Sequence, residues 1–175
     1  MPSDELILNP VSHITVDAIG QPGSRTFYIQ AWKNDQVVTV IVEKVQIQTL
    51  AVGIEQFLAE IKERLPNLTE AEADFDESKM SILPPVDPLF RVGEMGLAYE
   101  TEQDRVILEV REVMMEAGSE QDTHIVRLWC TRQQIHSLAA WGIEVANRGR
   151  AICPQCGEPM DPAGHFCPKK NGHKH

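Results

Sequence analysis

The chain has 175 residues, which fits one domain of about 150 residues plus a short appendage. Its 42% apolar content excludes a disordered chain, and its formal net charge of −10 disfavours nucleic acid, whose phosphates call for clustered Lys and Arg. The first ten residues lack the basic and apolar regions of a secretion signal, and no run approaches the roughly 18 apolar residues of a membrane span. A cytoplasmic protein with no membrane partner is expected, in a compartment that keeps thiols reduced.

Residues 12–20 read as a first strand, closed by the Gln21-Pro22-Gly23-Ser24 turn. A second strand over 25–32 places Phe27, Ile29 and Ala31 on one face and Tyr28, Gln30 and Trp32 on the other. After a turn at Asn34-Asp35, residues 37–43 are apolar on both faces, the pattern of a doubly covered strand. Ile47, Leu50, Ala51, Ile54, Phe57, Leu58, Ile61 and Leu65 then recur at spacings of three and four, which predicts one long amphipathic helix ending at Pro66.

Residues 67–88 change character. Glu70, Glu72, Asp74, Asp76 and Glu77 are followed by Pro84, Pro85 and Pro88, an acidic connector with some helical content. The earlier order then returns, with strands over 90–99, 105–115 and 123–130. Thr131 and Gln134 have the spacing of a capping box, and Ile135, Leu138, Ala139, Gly142, Ile143 and Ala146 form a second helical stripe that Gly149 can close. The start of each helix repeats in wording, Gln46-Ile47-Gln48-Thr49-Leu50-Ala51 against Gln134-Ile135-His136-Ser137-Leu138-Ala139. The expected fold is therefore α+β, residues 1–150 forming two βββα repeats, 11–66 and 89–149, in one antiparallel sheet with both helices on one face.

Residues 151–175 form a separate tail, similar in pattern to a zinc knuckle or zinc ribbon. Cys153 and Cys156, followed by Gly157, make a turn whose amides can bond both sulfurs and aim them at one tetrahedral ion. His165 and Cys167 can complete a Cys3His set, and His173 is a rival fourth ligand. A redox pair would sit at a helix N-terminus, which Gly157 and Pro159 disfavour, and a disulfide leaves an odd partner in Cys167. Structural Zn2+ is the expected cofactor.

In the body, phosphate-loop, nucleophile-elbow and zinc-protease motifs are absent. Arg25, beside the Pro22-Gly23 turn, and Arg91, beside Gly93, occupy comparable places in the two halves and can bind a carboxylate or phosphate in a groove between them. The bland alternative is two turns with exposed arginines. Glu43 and Lys44 mark a strand-to-helix junction where a surface ion pair is expected. Cys130 shares an apolar face with Val126 and Leu128, which makes it a buried inert thiol. His13, His124 and His136 have no catalytic partner in sequence, and Trp32, Trp129 and Trp141 read as packing residues.

The stretch from Gly20 to Phe27, Glu43-Lys44, Phe90-Arg91-Val92-Gly93 and the tail from Cys153 to Gly172 together resemble a bacterial family, domain of unknown function family 3090. The resemblance spans nearly the whole chain. It implies no particular reaction. It implies a tyrosine where this chain has His173, which favours His165 as the fourth ligand. It also implies neighbouring genes for a phosphoinositide-kinase-like and a histidine-phosphatase-like protein, and through them a link to a phosphate-related pathway.

The function best supported by the sequence is a non-catalytic binding or adaptor module with a structural zinc tail and a protein partner. The alternative is an enzyme or small-molecule binder acting on an anionic, phosphorylated ligand at Arg25 and Arg91.

Overall fold

The computed structural model describes residues 4–114, 123–149, 153–157 and 167. Seven strands and two helices follow one another as β1 (Glu5–Leu8), β2 (His13–Ile19), β3 (Thr26–Lys33), β4 (Gln36–Val42), α1 (Lys44–Arg64), β5 (Val92–Glu100), β6 (Arg105–Glu112), β7 (Ile125–Cys130) and α2 (Arg132–Asn147). Among the described residues no helix is long and apolar enough to cross a membrane.

The strands form two sheets, not the single antiparallel sheet expected. One is the antiparallel meander β2-β3-β4, and the other has the order β1-β7-β6-β5, with β1 parallel to β7. Among the described residues only the Ile41–Arg91 bridge joins β4 to the second sheet, through Ile41 N–H to Phe90 O at 3.0 Å and Leu89 N–H to Thr39 O at 2.8 Å. Pro84, Pro85 and Pro88, just upstream, lack the N–H groups that a longer ladder would use. At the other margin the chain itself changes sheet. Val11 N–H bonds Trp129 O of β7, and Ser12 N–H bonds Trp32 O of β3.

The helices do not share one sheet face. They pack on each other, while α2 lies on β2 and α1 meets β5. The two stripes close the core because Ile47, Ile54, Ile135, Leu138 and Val145 are all buried against Val16, Ile29, Leu108 and Leu128. The packing is close at Gly142, where an added Cβ would lie 3.0 Å from Ile47 Cγ2.

The acidic connector is a strap. Its one helical element is a single 3-10 turn at Glu77–Lys79, and most of it is held by side chains reaching to its backbone. Arg132 donates to Thr69 O, His136 Nδ1 lies 2.6 Å from Ala71 O, and Ser137 exchanges two bonds with Asp74. Along β2, alternate residues on one face then meet the strap in turn: His13 at Lys79 O, Thr15 at Met80 O and Asp17 at Ile82 N–H. Gln30, fully buried, completes the series by accepting from Leu83 N–H at 2.8 Å and donating to Leu83 O at 3.1 Å. An irregular segment cannot satisfy its own peptide groups, so the polar face of β2 and β3 does it instead.

A second clasp holds the β5–β6 turn. Arg132 Nε and Nη2 donate to the two oxygens of Asp104, and Tyr99 Oη donates to Asp104 Oδ1 at 2.5 Å. The Arg132 bonds keep the Asp104 carboxyl below its usual range, with Tyr99 adding to them against the cost of burial. Burial and the Asp104 carboxylate push Tyr99 up to about 12.

Replacing Gln30 by Leu leaves Leu83 and Thr39 without their partner, and is expected to cost about 1–3 kcal/mol in chemical denaturation. Amide exchange over residues 79–83 should accelerate while the middle of α1 stays protected. Because the folded Asp104 is more acidic than the unfolded one, its contribution is complete above the ordinary Asp range near 4 and is lost as pH falls through the lowered folded value. Asp104→Asn should therefore flatten the acid limb of the stability curve.

Candidate metal centre

Cys153, Cys156 and Cys167 come together, their three Sγ atoms all within 4.8 Å of one another. Local sequence builds the first part of this site. Residues 154–156 form a turn closed by Gly157 N–H to Cys153 O at 2.9 Å, and Gly157 takes φ +76°, a conformation that favours glycine. Cys167 then reaches Cys153 from fourteen positions away, with Sγ to Sγ 3.8 Å.

That distance is informative. A disulfide requires about 2.05 Å, whereas two thiolates each about 2.3 Å from one tetrahedral ion are separated by about 3.8 Å. Cys153 and Cys167 are buried and Cys156 is half-buried. Burial works to raise the Cys153 pKa, but hydrogen bonds from the backbone N–H groups of Cys156 and Gln155, with the Cys156 and Cys167 thiols, bring it down to about 6. The cluster offers three soft donors, a set that suits Zn2+ and other thiophilic ions. The expected fourth ligand, His165, and its rival, His173, lie outside the described residues.

The two arginines have separate partners. Arg25 donates to Val145 O at 2.9 Å and Ala146 O at 3.4 Å, and its guanidinium lies 4.8 Å from the centre of the Phe27 ring. It thus caps the C-terminal end of α2, where free carbonyls and the helix dipole favour a cation. Arg91 pairs with Glu43, the residue before α1, at 2.7 Å. Sequence reasoning missed Lys44 as a neighbour of Arg25. A Cβ on Gly149 would lie 3.2 Å from Arg25 Nη2 and 3.4 Å from Lys44 Nζ, so the two cations flank the end of α2. No pattern in the sequence connects positions 25, 44 and 149.

The remaining candidates are tied into the scaffold. Cys130 is fully buried, and burial pushes its thiol up to about 12. The His13 ring lies tilted against Trp32, with ring centroids 5.1 Å apart, and His124 stacks on Phe90. His136 does have a carboxylate at hand, Glu55 from α1 at 2.8 Å, a contact that only the helix pairing reveals. Trp141 is buried and bonded to Val16 O, while the buried indole nitrogen of Trp129 has no hydrogen-bond partner among the described residues.

A family model described as protein of unknown function (DUF3090) matches residues 7–167 of this chain, a span that includes all three clustered cysteines. No curated protein and no solved structure matches.

The environments of the cysteines predict their reactivity. Brief alkylation of the native protein after chelation, read by peptide mass spectrometry, should label Cys156, the half-buried member of the cluster, while Cys130 stays unmodified until denaturant is added.

Proposed function

The chain belongs to the DUF3090 family of proteins of unknown function, and from that premise we propose that it is a non-catalytic binding or adaptor module whose C-terminal segment is organised by structural zinc. Cys153, Cys156 and Cys167 hold the ion, and His165 supplies the fourth donor, with His173 as the alternative. Bound zinc supplies cross-linking of a segment that is short for a core of its own. The observation that carries this reading is the thiol cluster, with its 3.8 Å sulfur separation and two buried members.

The scaffold is read as a duplicated β-β-β-α unit. Its support comes from the two helix starts. Gln46 Oε1 accepts from Glu43 N–H while its Nε2 donates to Val92 O, and to Gly93 O at 3.4 Å. Gln134 Oε1 accepts from Thr131 N–H while its Nε2 donates to Val11 O, and to Ser12 O at 3.4 Å. Thus α1 anchors the start of β5 and α2 anchors the two residues that lead into β2, and these bonds align Val92 with Val11, hence Leu97 with Val16. The strand ladders give an independent alignment. Aligning Gln46 with Gln134 aligns Val40 with Leu128, and the pairs Val40–Ile29–Val16 and Leu128–Leu108–Leu97 again put Leu97 with Val16.

A second reading, a phosphorylated-ligand site, is favoured by Arg25 and Lys44 beside Gly149, with Arg91 one residue further on through Glu43. Among the described residues Arg25 uses two of its five donors on α2, which leaves the others for an anion.

Native mass spectrometry of protein purified without added metal tests the main reading. One zinc per chain is expected, lost in Cys153→Ser and in His165→Ala but retained in His173→Ala. Metal-free wild-type protein removes the proposal, and zinc retained in both histidine variants transfers support to an open, ligand-accessible metal.

A further inference from the structure

The two halves differ at one place in a way that creates a cleft. Beside β2, Trp141 of α2 fills the space, its indole N–H donating to Val16 O at 2.7 Å, and Phe75 of the strap meets the indole edge-on with centroids 5.5 Å apart. In the alignment proposed above, on which this inference rests, the counterpart of Trp141 is Gly53 and that of Val16 is Leu97. A Cβ on Gly53 meets nothing within 4 Å. In place of an indole there is a cleft of about 360 Å³ between α1 and β5, lined by Val45, Thr49, Leu50, Gly53, Met95 and Leu97.

The occupied half shows what suits such a cleft. There the strap runs past α2 as an extended segment, and Ser137 both accepts from Asp74 N–H and donates to Asp74 O. The counterpart of Ser137 is Thr49, whose hydroxyl lines the open cleft without a hydrogen bond among the described residues. β5 is the terminal strand of its sheet, so beyond Gly93, where Gln46 takes the Val92 and Gly93 carbonyls, its outer edge is available to another strand. The two halves differ in charge at this point. Asp74, Asp76 and Lys79 of the strap line one cleft together with His13, whereas the position matching His13 is Glu94, a carboxylate that is exposed and free of ion pairs among the described residues.

We infer that the cleft between α1 and β5 binds an extended peptide segment with a bulky aromatic side chain, tryptophan foremost, flanked by basic residues. The aromatic side chain enters beside Gly53 and supplies from a partner what Trp141 supplies within the chain. The flanking cations meet Glu94, and the peptide backbone lies along β5 in the manner of strand addition. A buried tryptophan that also donates a hydrogen bond is a strong anchor for such a segment.

The test uses full-length protein and a short synthetic peptide with a central tryptophan between lysines, followed by calorimetry and amide NMR. Saturable binding is expected, with shifts concentrated at residues 45–53 and 93–97, and at least about tenfold weakening when the peptide tryptophan becomes alanine. Gly53→Trp should fold, melt at a higher temperature than wild type and lose the peptide. Glu94→Lys and Thr49→Arg, both at exposed positions, should weaken binding and decide the matter if Gly53→Trp does not fold. Cys153→Ser should bind normally, which separates this site from the zinc reading. Absence of binding at millimolar peptide, or undiminished binding by a folded Gly53→Trp or by the two surface variants, overturns the proposal. A raised melting temperature in Gly53→Trp without peptide binding to wild type preserves the duplication and overturns the site. A wild-type dimer abolished by Gly53→Trp assigns the cleft to a second copy and likewise overturns it.

Discussion

Two glutamine side chains hold the parts of this fold in place. Gln46 and Gln134 each use the carbonyl oxygen to close the first turn of a helix and the amide nitrogen to bond the backbone at the start of a strand from the opposite half of the chain. A helix start is rich in unpaired N–H groups, so a capping residue is common there. Here the same residue also sets where the helix sits. With α1 tied to Val92 and α2 tied to Val11, the two apolar stripes are brought against each other, and Gly142 allows the close approach that Ile47 needs.

This arrangement leaves the outer face of β2 and β3 without a helix. Its polar residues would be unremarkable on a solvated sheet, yet Thr15 and Gln30 are fully buried. They are buried because the strap lies over them and needs their hydrogen bonds. An acidic, proline-containing segment has few apolar anchors, chiefly Leu68, Phe75 and Met80, so specific bonds from His13, Thr15, Asp17 and Gln30 add to that packing. Arg132 contributes from the helix side, linking Thr69 of the strap with Asp104 of the β5–β6 turn.

The cysteine cluster depends on different physics. Its first two members are placed by a turn of a few residues, and the backbone donors of that turn favour thiolate over thiol despite burial. Cys130 shows the opposite outcome, since the apolar interior supplies no compensating donor and the thiol stays protonated. The same side chain is thus a metal ligand candidate in one setting and core filling in the other.

The sequence by itself determined every element whose signal is local. Helix periodicity placed α1 and α2 closely, alternation and turns placed six strands, and spacing picked out Cys153, Cys156 and Cys167. β1 escaped notice because four residues before Pro10 are too few to display a period. Tertiary structure alone decided how the strands divide into two sheets, why Gln30 is buried, and that Arg25 caps α2 with Lys44 alongside. It also decided that Gly53 faces open space while Trp141 is buried and bonded to β2. These outcomes depend on which distant segments meet, and such meetings are set by the packing and hydrogen-bond requirements of the whole chain, which no short window of residues encodes.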